Sequence, residues 1–440
     1  MINIYLKELN LSIGSNNKLI KVLNKQIKIY RNSGSEIRNL TFFTNSIFLQ
    51  YINTLNMNSN YKTTRILSNE NFWIGIIISG LILKTIMLPI KTGDFIVFIE
   101  PWLEFIKAHG YFHSLKYNFY NYTPSYIYIL VIIAKIGLNP LYAVKIVSII
   151  FEYFAAFIIG KIAFQKYKNN LVIWVAIAII PLLPSVVLNS SYLSQCDSIY
   201  STFVLLSIYF ILKNKQFASV LFIGIAFAFK MQTAIILPFF FVLWLRSKIN
   251  WYYFLLIPVV FIISLLPAWE FGRSFSDLIN VYLSQTNHYH FLTMNFPNLY
   301  IWISNEYYEQ LKITGMIITA LFTLLSGYFL SNKKYIFTFE IWIKLSFLSA
   351  IVIPFILPGM HERYMYLGDV LGVLYYIVVR KNIHLPVGIL LVSFYSYIRC
   401  SRYNEILPMG PAFVLYLTVI ALTTFDFIKS LKYESDIIKK

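Results

Sequence analysis

Side chains able to do chemistry gather in four short segments of this sequence. The first, TGDFIVFIEPWLEFIKAHGYFHSLKYNFYNYTPSY, starts at Thr92. Asp94 opens a stretch, Phe95 to Lys107, whose apolar residues recur at helical spacing. A carboxylate in that place can cap free backbone N–H groups, and the spacing alone leaves open whether it does more. Glu100 and Glu104 lie four residues apart on one helical face, as solvated carboxylates would, with Trp102 between them. The second segment, SSYLSQCDSIYSTFVLLSIYF, puts Asp197 at the start of a long apolar run and Gln195 two residues earlier. Asp197 there also reads as a helix cap. The third, GIAFAFKMQTAIILP, carries Lys230 and Gln232 inside an otherwise apolar stretch. A lysine in hydrocarbon is costly and points to function by default, unless it snorkels out to water. The fourth, IPFILPGMHERYMYLGDVLGVLYY, wedges His361, Glu362, Arg363 and Tyr364 between two apolar runs. A plain turn there needs only Gly, Asn or Ser, whereas Arg and His suit the gripping of a phosphate. Asp369, a turn and a half further on, is placed to pair with one of them. No Gly-rich phosphate loop, zincin helix, nucleophile elbow or Cys/His metal spacing accompanies these segments.

Those segments sit in a chain of 440 residues that is 58% apolar and 13% charged, with 38 Phe and 34 Tyr. A soluble domain carries about 25% charged residues, so a soluble enzyme, a disordered chain and a disulfide-stapled secreted domain are excluded. Mean hydropathy is +0.64. Twelve spans of about 20 residues would take roughly 240, close to the apolar total. The composition is that of an all-α, polytopic membrane helical bundle. Cys196 and Cys400 are too few for a disulfide framework or a Cys-based metal site. The net charge of +18 comes from basic residues between apolar runs and at both tails, where the positive-inside rule places them. It therefore implies a bilayer and no nucleic acid.

Three regions are expected: a polar, basic cytoplasmic leader (1–70), a transmembrane domain (71–428) and a basic cytoplasmic tail (429–440). No secretory signal precedes the first long apolar stretch. Thirteen apolar segments follow one another, near 71–90, 126–137, 141–160, 171–188, 199–212, 218–230, 232–245, 251–267, 313–331, 339–357, 365–379, 384–398 and 411–428, which predicts about 11–13 transmembrane segments. Lys161, Lys166, Lys213, Arg246, Lys333 and Arg380 mark cytoplasmic turns. With the N-terminus inside, 91–125, 189–198, 268–312, 358–364 and 399–409 face outward. Thirteen crossings give the wrong parity, so the short 126–137 run is expected to be re-entrant or partial. The Phe95–Lys107 stretch should lie as a helix in the interface plane. All four chemical segments, and every histidine but His384, then fall on one face. Such a one-sided polar surface suggests an active site at one membrane interface, whereas a transporter more often places polar groups at the midplane. Arg399 and Arg402 are a basic pair left on the outer side.

The order TGDFIVFIEPW…NYTPSYIYIL, NPLYAVKIVSIIFEY, YLSQCDSIYSTFVLLSIYF, GIAFAFKMQTAIILP, NFPNLYIWI and LPGMHERYMYLGDVL resembles the integral-membrane mannosyltransferase-like family. That family is related to the second mannosyltransferase of glycosylphosphatidylinositol-anchor synthesis and belongs to the C-type glycosyltransferases. The resemblance covers roughly residues 72–428. It implies a hexosyltransferase, mannose by family label, whose donor is a sugar on a polyprenyl (dolichyl-type) monophosphate, acting on the lumenal or periplasmic side. Asp94 matches the family's catalytic base in the first outer loop, and Glu100 stands as a second acidic residue there. The family's paired carboxylates are not cleanly reproduced, so no metal ligand is assigned and a divalent metal stays open.

In the mechanism this implies, Asp94 takes the proton of an acceptor hydroxyl as it attacks the anomeric carbon, with inversion. His361, Arg363 and Lys230 would stabilise the leaving phosphate. Tyr122, Gln195, Asp197, Gln232 and Glu362 would shape the substrate pocket, and Trp102 would stack on sugar or lipid. The acceptor is unspecified: lipid, glycan or protein. Lean loops tilt the location to a bacterial plasma membrane over the endoplasmic reticulum. The competing readings are a glycan polymerase or ligase and a lipid-linked sugar flippase or transporter. The former favours Arg-rich outer loops, and 268–312 holds one arginine, Arg273. The latter should show related halves and ionisable groups at mid-membrane, and the sequence displays neither.

Overall fold

In the computed structural model, residues 69–286, 289–403 and 407–438 are described, with no side-chain account at 286, 402–403 and 432–438. The leader up to residue 68, His288 and the Arg402 side chain lie outside the described residues. Helix α1 (Glu70–Met87) is capped by Asn69, whose side chain accepts from the Asn71 N–H. A π-helical turn, Phe95–Ile99, leads into α2 (Glu100–Ala108). Helix α3 (Pro124–Ile136) stops at Gly137, whose left-handed backbone, φ 76°, disfavours any side chain. Helix α4 (Pro140–Tyr167) starts on an Asn139 cap with Pro140 behind it.

Helices α5 (Leu171–Leu182) and α6 (Pro184–Tyr192) are one rod bent by 56°; Pro181 and Pro184 each withdraw an N–H donor at the bend. Four helices follow on short turns: α7 (Asp197–Leu212), α8 (Gln216–Phe229), α9 (Met231–Leu245) and α10 (Trp251–Glu270). The long loop holds α11 (Phe275–Ile279) and α12 (Val281–Thr286). The chain closes with α13 (Asn305–Ser331), α14 (Phe339–Ile356), α15 (Tyr366–Val379), α16 (His384–Ile398) and α17 (Gly410–Ile438).

Every one of the thirteen apolar segments is occupied by helix. Six helices, α1, α4, α10, α13, α14 and α17, are long and apolar enough to cross a bilayer; the bent α5–α6 rod would be a seventh, and α3, α7, α8, α9 and α15 are shorter apolar helices. The fold is thus an all-α polytopic bundle. Its main core runs through α4, α7, α14 and α15, where Ile159, Tyr200, Phe347 and Leu371 are buried. Helices α10 and α13 lie at the rim, and α13 turns Leu325 and Tyr328 outward, as lipid-facing surface should be.

Helix α3 begins and ends at the same end of the bundle. At its start Thr123 Oγ1 donates to the Phe229 carbonyl at 2.9 Å. Near its finish Lys135 covers the ring of Phe112 in the first outer loop. Midway, Tyr128 donates to the Ser264 carbonyl and accepts from the Ala268 N–H, both near the far end of α10. Thirteen residues rise only about 20 Å, short of the length that six other helices reach. Helix α2 buries Trp102, Leu103 and Ile106, while Val97 in the turn before it stays exposed, the two-faced character an interfacial helix needs.

Two buried cations fasten α1 to α4. Lys84 pairs with Glu152 at 2.7 Å, both almost wholly buried. Lys145 donates to the carbonyls of Met87 and Ile90 at 3.0 and 2.7 Å, filling the acceptors a helix end leaves open. Asp94 follows four residues after Ile90, so this anchorage fixes where its segment starts. The sequence reading did not single out Lys84, Lys145 or Glu152, although ionisable groups inside apolar runs are the signal for them.

Candidate active site at one end of the bundle

All five segments expected to face outward meet around one cavity of about 930 Å³. Helix α8 and helix α9 make a short hairpin whose other ends are joined by the Asn250 N–H donating to Gln216 Oε1. Lys230 sits at its tip, in extended backbone between the helices (φ −155°, ψ 131°). The third and fourth outer segments are stapled together. Strands β1 (Thr293–Met294) and β2 (Met360–His361) pair in parallel, the Gly359 N–H donates to Leu292 O, and Asn298 Nδ2 donates to the carbonyls of Leu292 and Leu357. This brace sets the His361-Glu362-Arg363 turn over the cavity.

Asp94 makes no capping hydrogen bond. Its Oδ2 instead accepts from Gln195 Nε2 at 2.5 Å and lies 3.6 Å from Arg363 Nη1, leaving Oδ1 for the cavity. Arg363 also meets Glu362 at 2.9 Å, and His361 Nδ1 stands 3.5 Å from the same carboxylate. Burial alone would raise the Glu362 carboxyl, but the Arg363 charge and the hydrogen bond from His361 outweigh it and hold the group at about 2. Burial, reinforced by Arg363, lowers His361 below the usual imidazole range against the pull of Glu362. The ring is therefore neutral at pH 7, and its one N–H is turned to Glu362.

Lys230 does not snorkel. It is buried against Asp197 at 2.5 Å and lies under the rings of Tyr122 and Tyr200 at 5.7 and 6.0 Å. Asp197 is fully buried behind the cavity wall and accepts a second bond from Asn189 Nδ2 at 2.8 Å. It is the counter-ion of Lys230, neither a cap nor a pocket surface. Tyr122 donates to Gln195 Oε1 at 3.4 Å, stands edge-on to Trp102, and has its phenol pushed up to about 12 by burial.

Asp94, Trp102, Tyr122, Gln195, Lys230, Gln232, His361, Glu362 and Arg363 thus all line the cavity. Glu100 does not. It turns away and pairs with Lys91 at 2.5 Å on the exposed side. The six-residue step from Asp94 rotates a side chain by about 240° on a helix, while the four-residue steps to Phe98 and Trp102 keep both on the cavity face. The expected pairing of Asp369 with the His361–Arg363 turn is also absent: Arg363 is taken by Glu362 and Asp94. The structure adds Asn121, Tyr289, Asn295 and Arg399 to the wall. Arg399 had a sequence signal, as a basic residue on the outer side, but no role.

Asn189, in the π-helical turn of α6, had none. It links both halves of the site, because its carbonyl accepts the Gln195 N–H while its side chain holds Asp197. Among the described residues no three His, Cys, Asp or Glu side chains come together as a metal-binding group. Compared with known proteins, the chain matches no family model and no curated protein.

Proposed function

We propose that the chain is a membrane glycosyltransferase that moves a hexose from a polyprenyl monophosphate donor to an acceptor hydroxyl at this cavity, on the outward or lumenal face. The observation that carries the reading is Asp94. It is a carboxylate oriented by Gln195 and open to the cavity, with Arg363, His361 and Lys230 on the same wall. A lipid-borne donor accounts for a site built at the end of an apolar bundle beside an interfacial helix. In the reaction, Asp94 Oδ1 accepts the proton of the acceptor hydroxyl as its oxygen bonds to the anomeric carbon. The bond from that carbon to the phosphate oxygen breaks, and its electron pair leaves with polyprenyl phosphate. The configuration at the carbon inverts. Arg363 donates to the phosphate as its charge grows, His361 steadies the Glu362 carboxylate that holds Arg363, and Lys230 adds positive potential from behind Tyr122. Glu362 holds Arg363 in place, and Trp102 and Tyr122 offer ring faces to the sugar. Mannose is the first sugar to test, and a bacterial plasma membrane the expected location.

The experiment is transfer of radiolabelled sugar from polyprenyl-phosphate-mannose in membranes holding the protein, followed by other polyprenyl-phosphate hexoses and pentoses. Label reaching an acceptor fraction, with polyprenyl phosphate released, is the expected result. No transfer from any of these donors would overturn the reading and move the weight to a transporter of lipid-linked sugar.

A further inference from the structure

Asp369 lies in the first turn of α15 and is 1% exposed. Its carboxyl faces two hydroxyls, Ser185 at the start of α6 and Ser393 in α16. All four oxygens are buried; the two hydroxyls approach the carboxyl, but none of the four reaches full hydrogen-bond geometry. Among the described residues no Lys, Arg or His forms an ion pair with Asp369. The three helices pack on one another, so the cluster is sealed between them, apart from the cavity wall.

A buried carboxylate is costly without a positive partner, and buried hydroxyls are rarely left unbonded. Four oxygens converging from three helices have two remedies, a proton on the carboxyl or a small cation at their centre. Ser185 stands just past the bend of the α5–α6 rod. There Pro181 and Pro184 remove two N–H donors. Broken helices with freed carbonyls are where membrane proteins seat small ions. Carboxylate and hydroxyl oxygens suit a hard ion. One carboxylate is the only formal charge, so a singly charged ion closes the site neutral, whereas a divalent ion would leave a buried net charge.

We propose that Asp369, Ser185 and Ser393 form a binding site for Na⁺ at the bend of the α5–α6 rod. The ion ties α6, α15 and α16 together beneath the His361–Arg363 turn. This site does not depend on the transferase reading and is tested without any activity.

The test is thermal unfolding of the purified full-length protein in detergent, in NaCl, KCl or choline chloride at equal ionic strength, so that general screening is common to all three. The expected result is a Tm that rises by several degrees and saturates with Na⁺, as mass action requires of an ion that binds only the folded state. Choline should give no such rise. Asp369→Asn should unfold at a Tm indifferent to the cation. Ser393→Ala keeps the carboxylate and should raise the half-saturating Na⁺ several-fold, so the proposal can be judged even if Asp369→Asn fails to fold. Equal Tm of the wild type in all three salts would overturn the site. So would an Na⁺ effect unchanged in Ser393→Ala, or a Tm that follows pH and ignores Na⁺, which would mean that the carboxyl keeps a proton instead.

Discussion

Arg363 meets two carboxylates, Glu362 at 2.9 Å and Asp94 at 3.6 Å, and it is the guanidinium fork on which phosphate recognition depends. Removing it has two separable costs. Hydrogen bonds to a charged group contribute about 1.5–3 kcal/mol, so Arg363→Ala should weaken binding of a polyprenyl-phosphate donor by roughly 10–100-fold. It also strands Glu362, which is 4% exposed, and breaking a buried pair costs about 3–5 kcal/mol. Donor titrations must therefore be read beside a Tm; unchanged donor affinity would remove Arg363 from the phosphate site. Lysine at 363 should restore part of the stability and little of the affinity, because an ammonium lacks the planar fork.

His361 sets a pH dependence. Its folded state takes a proton less readily than the ordinary imidazole at about 6.5, because burial and Arg363 both oppose the charge. Below that pH the unfolded chain binds the proton first, so stability is full above about 6.5 and declines as the pH falls. Glu362 works in the same direction, in the carboxylate range. Held at about 2, it contributes above the ordinary value of about 4.3, and that contribution is lost as the pH drops toward 2. Tm should thus be flat at neutral pH and fall in two acid stages. His361→Gln should erase the stage that begins below about pH 6.5; an unaltered profile would remove His361 from the pH dependence.

At the scale of elements, α1 is held by charge as much as by packing. Lys84 and Glu152 are 1% and 0% exposed, so Glu152→Ala leaves a lone buried ammonium and should cost about 3–5 kcal/mol. The double change Lys84→Met with Glu152→Leu should recover most of it, since two apolar groups need no partner. A double variant as unstable as the single one would contradict this. Gly160 fixes the next contact: a Cβ there would stand 2.6 Å from the Ile173 Cα, so Gly160→Leu should pry α4 from α5 and lower Tm and yield.

The helices themselves were legible because lipid forces long apolar runs, broken by turns rich in Lys and Arg. The site was legible to the extent that polar residues on the other side had nowhere else to collect. What escaped was rotation and partnership. Glu100 lies in the right loop but on the wrong face of α2, and Asp197 and Lys230 stand in different segments with nothing in the chain to say that they pair. Asn189 is one amide among many until the π-helical turn puts its carbonyl on Gln195 and its side chain on Asp197.

The whole molecule is two-sided: one end of the bundle gathers the cavity, and the turns at the other hold little but Lys and Arg among their ionisable residues. Cys400 lines the cavity and is exposed, so in a Cys196→Ala background a membrane-impermeant thiol reagent should label it from outside intact cells. A cysteine placed by Lys168→Cys, just past the end of α4, should react only after the membrane is opened. The reverse pattern would invert the topology and move the cavity to the cytoplasmic side. The most direct measurement of the central claim compares sugar transfer by wild type and Asp94→Asn at matched expression, with donor binding measured in both. The carboxylate is assigned to proton removal, so transfer should fall by about 10²–10⁴-fold while donor affinity changes little. Transfer at the wild-type rate by Asp94→Asn would contradict the account, since among the described residues the other carboxylate on the cavity wall, Glu362, is held by Arg363 and His361.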